Sequence, residues 1–299
     1  MNVLIIGSEG FIGQALVNHF RRKNVQVFGV DIVSQTLPNY IFINAASPDY
    51  NEVFQNTSFD VCINASGAAN VSFSEVKPAW DYELNTHNVF KMLDGIRKFA
   101  PSCKFIHLSS AAVYGNPESL PISESFPIKP LSPYGFHKWQ SEILCQEFAS
   151  VYGVQSVVLR IFSAFGPGLA KQLFWDLYQK SKTSKNIEIF GTGTETRDFI
   201  FIDDIIQAIE IVIQNPIAQT IINVANGEEI STETAAKTFF TLLDKDIDFS
   251  FNGQVRKGDP KNWRADISIL KSLGYKQQVT FKQGIVQYCK WLKSEGNFR

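Results

Sequence analysis

The chain is poor in the residues that build cross-links, metal centres and membrane spans. Its 299 residues include four cysteines, Cys62, Cys103, Cys145 and Cys289, never paired at a metal-ligand spacing. That excludes a cysteine-based metal framework and leaves reduced thiols, the pattern of a cytoplasmic protein. The four histidines, His19, His87, His107 and His137, form no HExxH-type cluster, so no metal site is expected. No apolar run approaches the ~20 residues needed to span a bilayer. The first residues lack the basic stretch of a signal peptide. Charge of one sign is missing too. A formal net charge of −1 gives no electrostatic basis for partnering nucleic acid or an anionic membrane. There is no internal repeat, low-complexity tract or disordered linker.

What is present is enough apolar material, 44% of residues, to bury a large core. The length alone fits one large domain or two smaller ones. Asn2–Ile6 reads as a strand, and Gly7-Ser8-Glu9-Gly10-Phe11-Ile12-Gly13 leads from it into a helix over Phe11–Arg22. A GxxGxxG turn between a strand and a helix has a physical use. Gly7 permits the tight turn, and Gly10 lets a pyrophosphate approach backbone N–H groups where the helix dipole favours negative charge. Gly13 lets helix and strand pack closely. A second strand, Val25–Val30, ends in Asp31. An acid there can accept hydrogen bonds from the adenosine ribose and would repel a 2′-phosphate. With no Arg or Lys nearby, NAD is expected rather than NADP. An ordinary turn aspartate is the competing reading.

Further strands are expected over Tyr40–Ile43, Phe59–Asn64, Lys104–Leu108 and Val154–Ile161. Ala65-Ser66-Gly67 follows one of them with small residues that suit close approach of a cofactor. A long helix is expected over Pro78–Phe99, with Trp80, Leu84, Val89, Leu93 and Ile96 near helical spacing. Asn85 lies inside it and is unfavourable there unless it bonds a strand or the cofactor. The alternation predicts an α/β fold with a Rossmann-type doubly wound parallel sheet. Beyond Gly166 the pattern loosens. Helices are expected over Lys171–Lys182, up to about Gln214, over Thr232–Leu243, near Ile267–Leu273 and over Phe281–Lys293. Strands are expected over Ile187–Phe190, Thr220–Val224 and Ile247–Phe251.

The chemistry lies between Ser109 and Lys138. Ser109-Ser110-Ala111-Ala112-Val113-Tyr114-Gly115 ends a strand, and Ser132-Pro133 opens a helix carrying Tyr134 and Lys138. Residues four apart share one helix face. An ammonium there favours the phenolate and brings the tyrosine toward acid or base duty. Ser110 can offer a hydroxyl to the same substrate oxygen. Chance adjacency on an exposed helix is the competing reading, and the flanking motifs oppose it.

With these pieces in place, the chain resembles the extended short-chain dehydrogenase/reductases, of the NAD-dependent nucleotide-sugar epimerase/dehydratase family. The resemblance covers nearly the whole chain. It rests on Gly7–Gly13, Ser109–Gly115, Ser132–Lys138, Leu159–Gly168, Thr196–Asp204 and Arg256–Pro260. It implies that Tyr134 is the catalytic acid/base, that Lys138 holds the nicotinamide ribose, and that Ser110 orients the reacting group. It implies NAD contacts at Gly7, Gly10, Phe11, Ile12, Gly13, Asp31, Ala65, Ser66, Gly67, Asn85, Ser109, Tyr134, Lys138 and Phe162. It implies substrate contacts at Ser110, on the reacting group, and at Ser163, Arg197 and Arg256, on the diphosphate of a sugar nucleotide, where an Arg fork suits phosphate oxygens. A surface salt bridge is the alternative for each arginine. The resemblance also implies a smaller, interleaved substrate domain. NAD would sit in residues 1–165 plus about 199–225, and the nucleotide sugar in about 166–198 plus 226–299. A homodimer through Pro78–Phe99 and Tyr134–Tyr152 is implied as well, although their apolar faces equally fit core stripes.

Three departures from the family pattern stand out. Ser163 replaces a common Asn. Asn44-Ala45-Ala46-Ser47 lacks the usual adenine-contacting Asp. Ala111-Ala112 replace the Asp-Glu pair of the 4,6-dehydratases, and alanines can neither expel water nor take a C5 proton. A 4-epimerase is therefore the leading expectation, with a small residue at 111 or 112 leaving room for the sugar to turn. A 4-keto-6-deoxysugar reductase using NADH or NADPH is the alternative. A non-catalytic NAD-binding regulator is a third reading, which the intact Tyr and Lys oppose. Gln172, Phe174 and Trp175 are placed near the substrate mouth by position.

Overall fold

A computed structural model describes residues 1–215, 220–254 and 258–295. A seven-stranded parallel sheet runs through it in the order Ile221–Val224, Ser156–Ile161, Lys104–Ser110, Val61–Asn64, Asn2–Ile6, Gln26–Asp31, Tyr40–Phe42. All six neighbour pairings are parallel. The chain winds outward from Asn2–Ile6 in one direction and then in the other. The order reverses beside that strand, and the carboxyl ends there open a crevice.

The strands are apolar on both faces because helices cover both. Val3 and Ile5 join one core with Leu16 and Phe20 of the helix Phe11–Arg22. Leu4 and Ile6 point the other way and join Val89, Met92, Leu93 and Ile96. This period-two division is what the strand pleat requires. In the doubly wound part, the observed element ends lie within two residues of those expected.

The expected helix Pro78–Phe99 is broken into Pro78–Tyr82, a π-type stretch Glu83–His87, and Asn88–Phe99. Asn85 sits in the widened turn, as π-bulges often do at working sites. Two short helices, Tyr50–Gln55 and Val71–Val76, were not expected. Each is six residues long and is started by a side-chain cap, from Asp49 and Asn70 respectively. Six residues hold too few turns to show a helical period.

Beyond Phe162 lie three two-stranded pieces: Ser163–Phe165 with Phe199–Phe201, Thr196–Arg197 with Ile230–Ser231, and Asn186–Ile189 with Asp248–Phe251. An aromatic cluster of Phe165, Phe174, Phe199, Phe239, Phe281 and Tyr288 packs the first of these pieces against the helices Gln172–Thr183, Thr232–Leu243 and Phe281–Glu295. Ile221–Val224 then returns to the edge of the main sheet. A late segment reaches back to the loop after Ser110: Trp263 Nε1 donates to the Gly115 carbonyl at 3.0 Å. Ile122 N donates to the Arg264 carbonyl at 2.7 Å, and Asp266 N donates to the Ile122 carbonyl at 2.8 Å.

Candidate active site

The glycine turn lies at the reversal of strand order. A Cβ at Gly13 would stand 1.9 Å from the Gly7 carbonyl oxygen, so only glycine allows this helix to sit so close to the strand. Gly10 is the N-cap and no side chain caps the helix. Its first N–H groups are thereby left to a ligand or solvent. Phe11 and Ile12 are half-buried, with the Phe11 ring beside Gly168.

Asp31 is almost wholly buried and accepts from Ile32 N at 2.7 Å, Val33 N at 3.2 Å and Glu9 N at 2.9 Å. The turn-aspartate reading is seen directly, since Asp31 ties the second strand's loop to the glycine turn. Glu9 was missed by the sequence reading. Its carboxylate accepts from Gln35 at 3.3 Å, putting a second acid beside Asp31. Burial, then the charges of Asp31 and Glu9, push the nearby Tyr40 hydroxyl up to about 12. Two neighbouring carboxylates strengthen the expected repulsion of a 2′-phosphate.

The opposite wall is Ala65-Ser66-Gly67. Ala65 N donates to the Ile6 carbonyl, and Ser66 is held by Asn64 Oδ1 through its N–H at 3.1 Å and its hydroxyl at 2.6 Å. Gly67 has φ +112°, and a Cβ there would lie 2.5 Å from Asn85 Oδ1. Asn85 donates through Nδ2 to the Ala68 carbonyl and to Asp81 Oδ1, both at 3.1 Å. Its Oδ1 and the Ser8 hydroxyl are buried polar atoms without a partner among the described residues. Unpaired buried groups beside a glycine-lined crevice and an uncapped helix start are what a dinucleotide would satisfy. The residues present therefore fit NAD.

Ser132 caps the next helix, Pro133–Tyr152, by accepting from Gly135 N, and Pro133 begins it. Tyr134 and Lys138 are both buried. Burial pushes Tyr134 up to about 12, while a hydrogen bond with Ser110 works in the lowering direction. The expected lowering toward neutral pH is therefore opposed by desolvation. Lys138 is itself brought down to about 8, chiefly by burial. Its ammonium donates to the Leu108 carbonyl at 3.0 Å, rather than to the phenol. Ser110 and Tyr134 come together as expected, with Lys138 one turn away.

The Ser109 hydroxyl is turned away from the crevice and donates to Glu142 at 2.5 Å. Glu142 forms a buried pair with Arg160 at 2.7 Å. Arg160 also donates to the Tyr114 hydroxyl at 2.8 Å and to the Glu124 carbonyl at 3.1 Å. This network ties the helix Pro133–Tyr152 to the strands Lys104–Ser110 and Ser156–Ile161. What Ser109 can offer a cofactor is its backbone.

At the end of the strand Ser156–Ile161, Phe162 is buried against Tyr114 and Trp263. Ser163 is half-buried, its N–H bonded to the Asp198 carbonyl. Arg197 lies over the Trp263 ring at 5.6 Å and donates to the Thr196 carbonyl at 2.8 Å. Asp198 beside it is fully buried and accepts from Asn226 N, Gly227 N and Ala265 N, each at 3.0 Å. Burial pushes its carboxyl up to about 7. Arg256 lies outside the described residues.

Two positional expectations are corrected. Phe174 belongs to the aromatic core and not to the mouth, because its ring packs between Phe165 and Phe199. Ala111 is wholly buried, so only the half-buried Ala112 can leave space for a turning sugar. The sequence reading also missed Asp81 and His137, which meet at 2.6 Å. The i, i+4 spacing of Asp81 and Asn85 was the available signal.

Comparison with known proteins agrees with this geometry. The family model described as "NAD dependent epimerase/dehydratase family" matches residues 3–225. A putative UDP-glucose 4-epimerase of Methanocaldococcus jannaschii is 28% identical over 98% of both chains. A dTDP-glucose 4,6-dehydratase of Escherichia coli is 25% identical, covering 98% of this chain and 93% of the relative. Among solved structures, a UDP-glucuronic acid 4-epimerase variant from Bacillus cereus, in complex with a fluorinated UDP-glucuronic acid and NAD, superposes with TM-score 0.88. It is 26% identical and covers 99% of this chain and 100% of that one. The chain belongs to the NAD-dependent epimerase/dehydratase family, as an enzyme of the extended short-chain dehydrogenase/reductase type whose cofactor is NAD.

Proposed function

We propose that this enzyme is a nucleotide-sugar 4-epimerase. One observation carries the reading: an intact Ser110–Tyr134–Lys138 set stands beside alanines at 111 and 112. Dehydration needs its own acid and base next to the sugar. Ala111 is sealed in the core and Ala112 offers a methyl group. When bound, NAD supplies a nicotinamide carbon that takes a hydride from sugar C4 and can return it to either face. Tyr134 takes the proton of the C4 hydroxyl and later returns it, with Ser110 holding the same oxygen. Lys138 holds the ribose and offsets the burial that raises Tyr134. Arg197, Arg256 and Ser163 grip the diphosphate while the sugar turns.

In this reading residues 1–165 and about 199–225 hold NAD, and about 166–198 with 226–299 hold the nucleotide sugar. Two copies pair through the helices Pro78–Phe99 and Pro133–Tyr152. A groove between those helices is lined by Tyr82, Phe90, Ile143 and Leu144 and leaves Tyr82, Phe90 and Ile143 exposed, which supports the pairing. A monomeric mass by light scattering would refute it.

The test begins by denaturing the purified protein and identifying the nucleotide released, where near-stoichiometric NAD is expected. UDP-, dTDP-, GDP- and CDP-sugars are then screened for C4 epimers. No epimer from any of them would overturn the reading. Turnover confined to 4-keto-6-deoxysugars with added NADH or NADPH would replace it with a reductase. Tyr134→Phe should lower the epimerisation rate by about 10²–10⁴-fold while NAD is retained.

A further inference from the structure

Behind Lys138 lies a polar chain that the hydride and proton steps do not use. Asp81 is wholly buried, and its two carboxylate oxygens are divided. Oδ2 meets His137 Nδ1 at 2.6 Å, and Oδ1 accepts from Asn85 Nδ2 at 3.1 Å. An ionised carboxylate only accepts, so His137 carries its proton on Nδ1. The backbone of His137 is tied to the same place, since Thr86 Oγ1 donates to its carbonyl at 3.0 Å. The helix bearing Tyr134 and Lys138 is therefore fastened twice, to Asp81 of the helix Pro78–Tyr82 and to Thr86 of the widened turn that bears Asn85.

The donor count then fixes the Asn85 amide. Its two N–H donors go to the Ala68 carbonyl and to Asp81, both acceptors. The amide cannot flip without losing both bonds. Its oxygen is thereby presented, buried and unpartnered, beside Gly67. From a Cβ position at Gly67, that oxygen stands 2.5 Å away and the Lys138 ammonium 3.6 Å away. Lys138 has three donor protons and gives one to the Leu108 carbonyl. A fixed acceptor, two donor protons and a side-chain-free position meet at one spot.

We infer that His137 and Asp81 are a positioning pair, which locks the Asn85 amide oxygen as an acceptor facing Lys138 and the NAD that Lys138 holds. The pair touches neither cofactor nor substrate and acts through Asn85 and through charge on Lys138. The charged and titratable groups that face Lys138 are Asp81 from the neighbouring helix, Glu142 and Cys145 from its own helix, and His107 from the strand beneath. Asp81 leads the acids among them in favouring the ammonium. The inference concerns NAD and Lys138, so it stands whichever sugar nucleotide is turned over.

The test uses the full-length holoenzyme. Exchange of bound NAD for isotope-labelled NAD is timed, and Lys138 is titrated by nitrogen NMR with ¹⁵N-lysine, assigned through Lys138→Arg. Asp81→Asn keeps the shape and removes the charge. It should speed NAD exchange about tenfold and lower the Lys138 midpoint by about one unit. A lower melting temperature with both readings unchanged would overturn the inference, because that is what a merely structural pair gives. Should Asp81→Asn fail to fold, the less buried member of the pair decides. His137→Gln keeps a donor for Asp81 and should exchange NAD within about twofold of wild type, whereas His137→Leu should approach the tenfold increase. Equal exchange rates in those two variants would overturn it as well.

Discussion

Glu142 and Asp198 are two of the buried carboxylates near the site, and they are satisfied by opposite means. Glu142, on the helix Pro133–Tyr152, faces the permanent cation of Arg160 at 2.7 Å and the Ser109 hydroxyl at 2.5 Å. Asp198, on the substrate side, is held by three backbone N–H groups at 3.0 Å, and burial pushes it up to about 7. A permanent counter-charge satisfies the carboxylate of Glu142. Backbone dipoles alone leave the substrate side titratable in the neutral range. The difference shows which half of the enzyme solution conditions can loosen.

The largest expected effect comes from breaking the charged pair. Glu142→Gln leaves Arg160 buried beside a neutral amide and should cost about 3–5 kcal/mol of stability, measured by urea unfolding. Asp198→Asn should cost less, about 1–3 kcal/mol, because the amide oxygen can still accept two of the three backbone bonds.

The comparison sharpens with pH. The Asp198 pKa is raised in the folded chain from an ordinary 3.8 to about 7, so folding favours its protonated form. That contribution is fully present below about pH 3.9 and is lost as pH rises through about 7. Stability referred to Asp198 should therefore fall between pH 4 and 7, and the fall should vanish in Asp198→Asn. If Glu142→Gln removed that slope instead, the assignment of the two sites would be reversed. The smallest effect is expected from Ser109→Ala, which removes one hydrogen bond to Glu142 and should cost about 1 kcal/mol without altering the pH profile.

Much of this architecture was legible in the sequence. The glycine turn, Asp31, the small residues 65–67 and the Ser110–Tyr134–Lys138 set are each defined by spacing within one turn or strand end. Such features survive reading one segment at a time. Phe174 was misplaced because a residue near the mouth in chain position can still pack inward, and only the partners Phe165 and Phe199 reveal that. The widened turn at Asn85 was hidden because its apolar periodicity resembles that of an unbroken helix. His137 and Asp81 meet across 56 residues of chain, a separation at which no local pattern links them. Glu9 looked like filler inside a glycine motif, and its bearing on cofactor choice appears only when the loop after Asp31 folds over it.

The clasp of the 261–266 segment on the loop after Ser110 carries a lesson about assembly. Trp263 and Gly115 are joined across 148 residues, so the pocket wall closes only after most of the chain is available. Contacts of such separation are slow to form. During synthesis most of the parallel sheet can be laid down before the 261–266 segment is available to close on the loop after Ser110. The glycine turn and the crevice beside it thus stand early in the chain, and the wall made by Trp263 is added last.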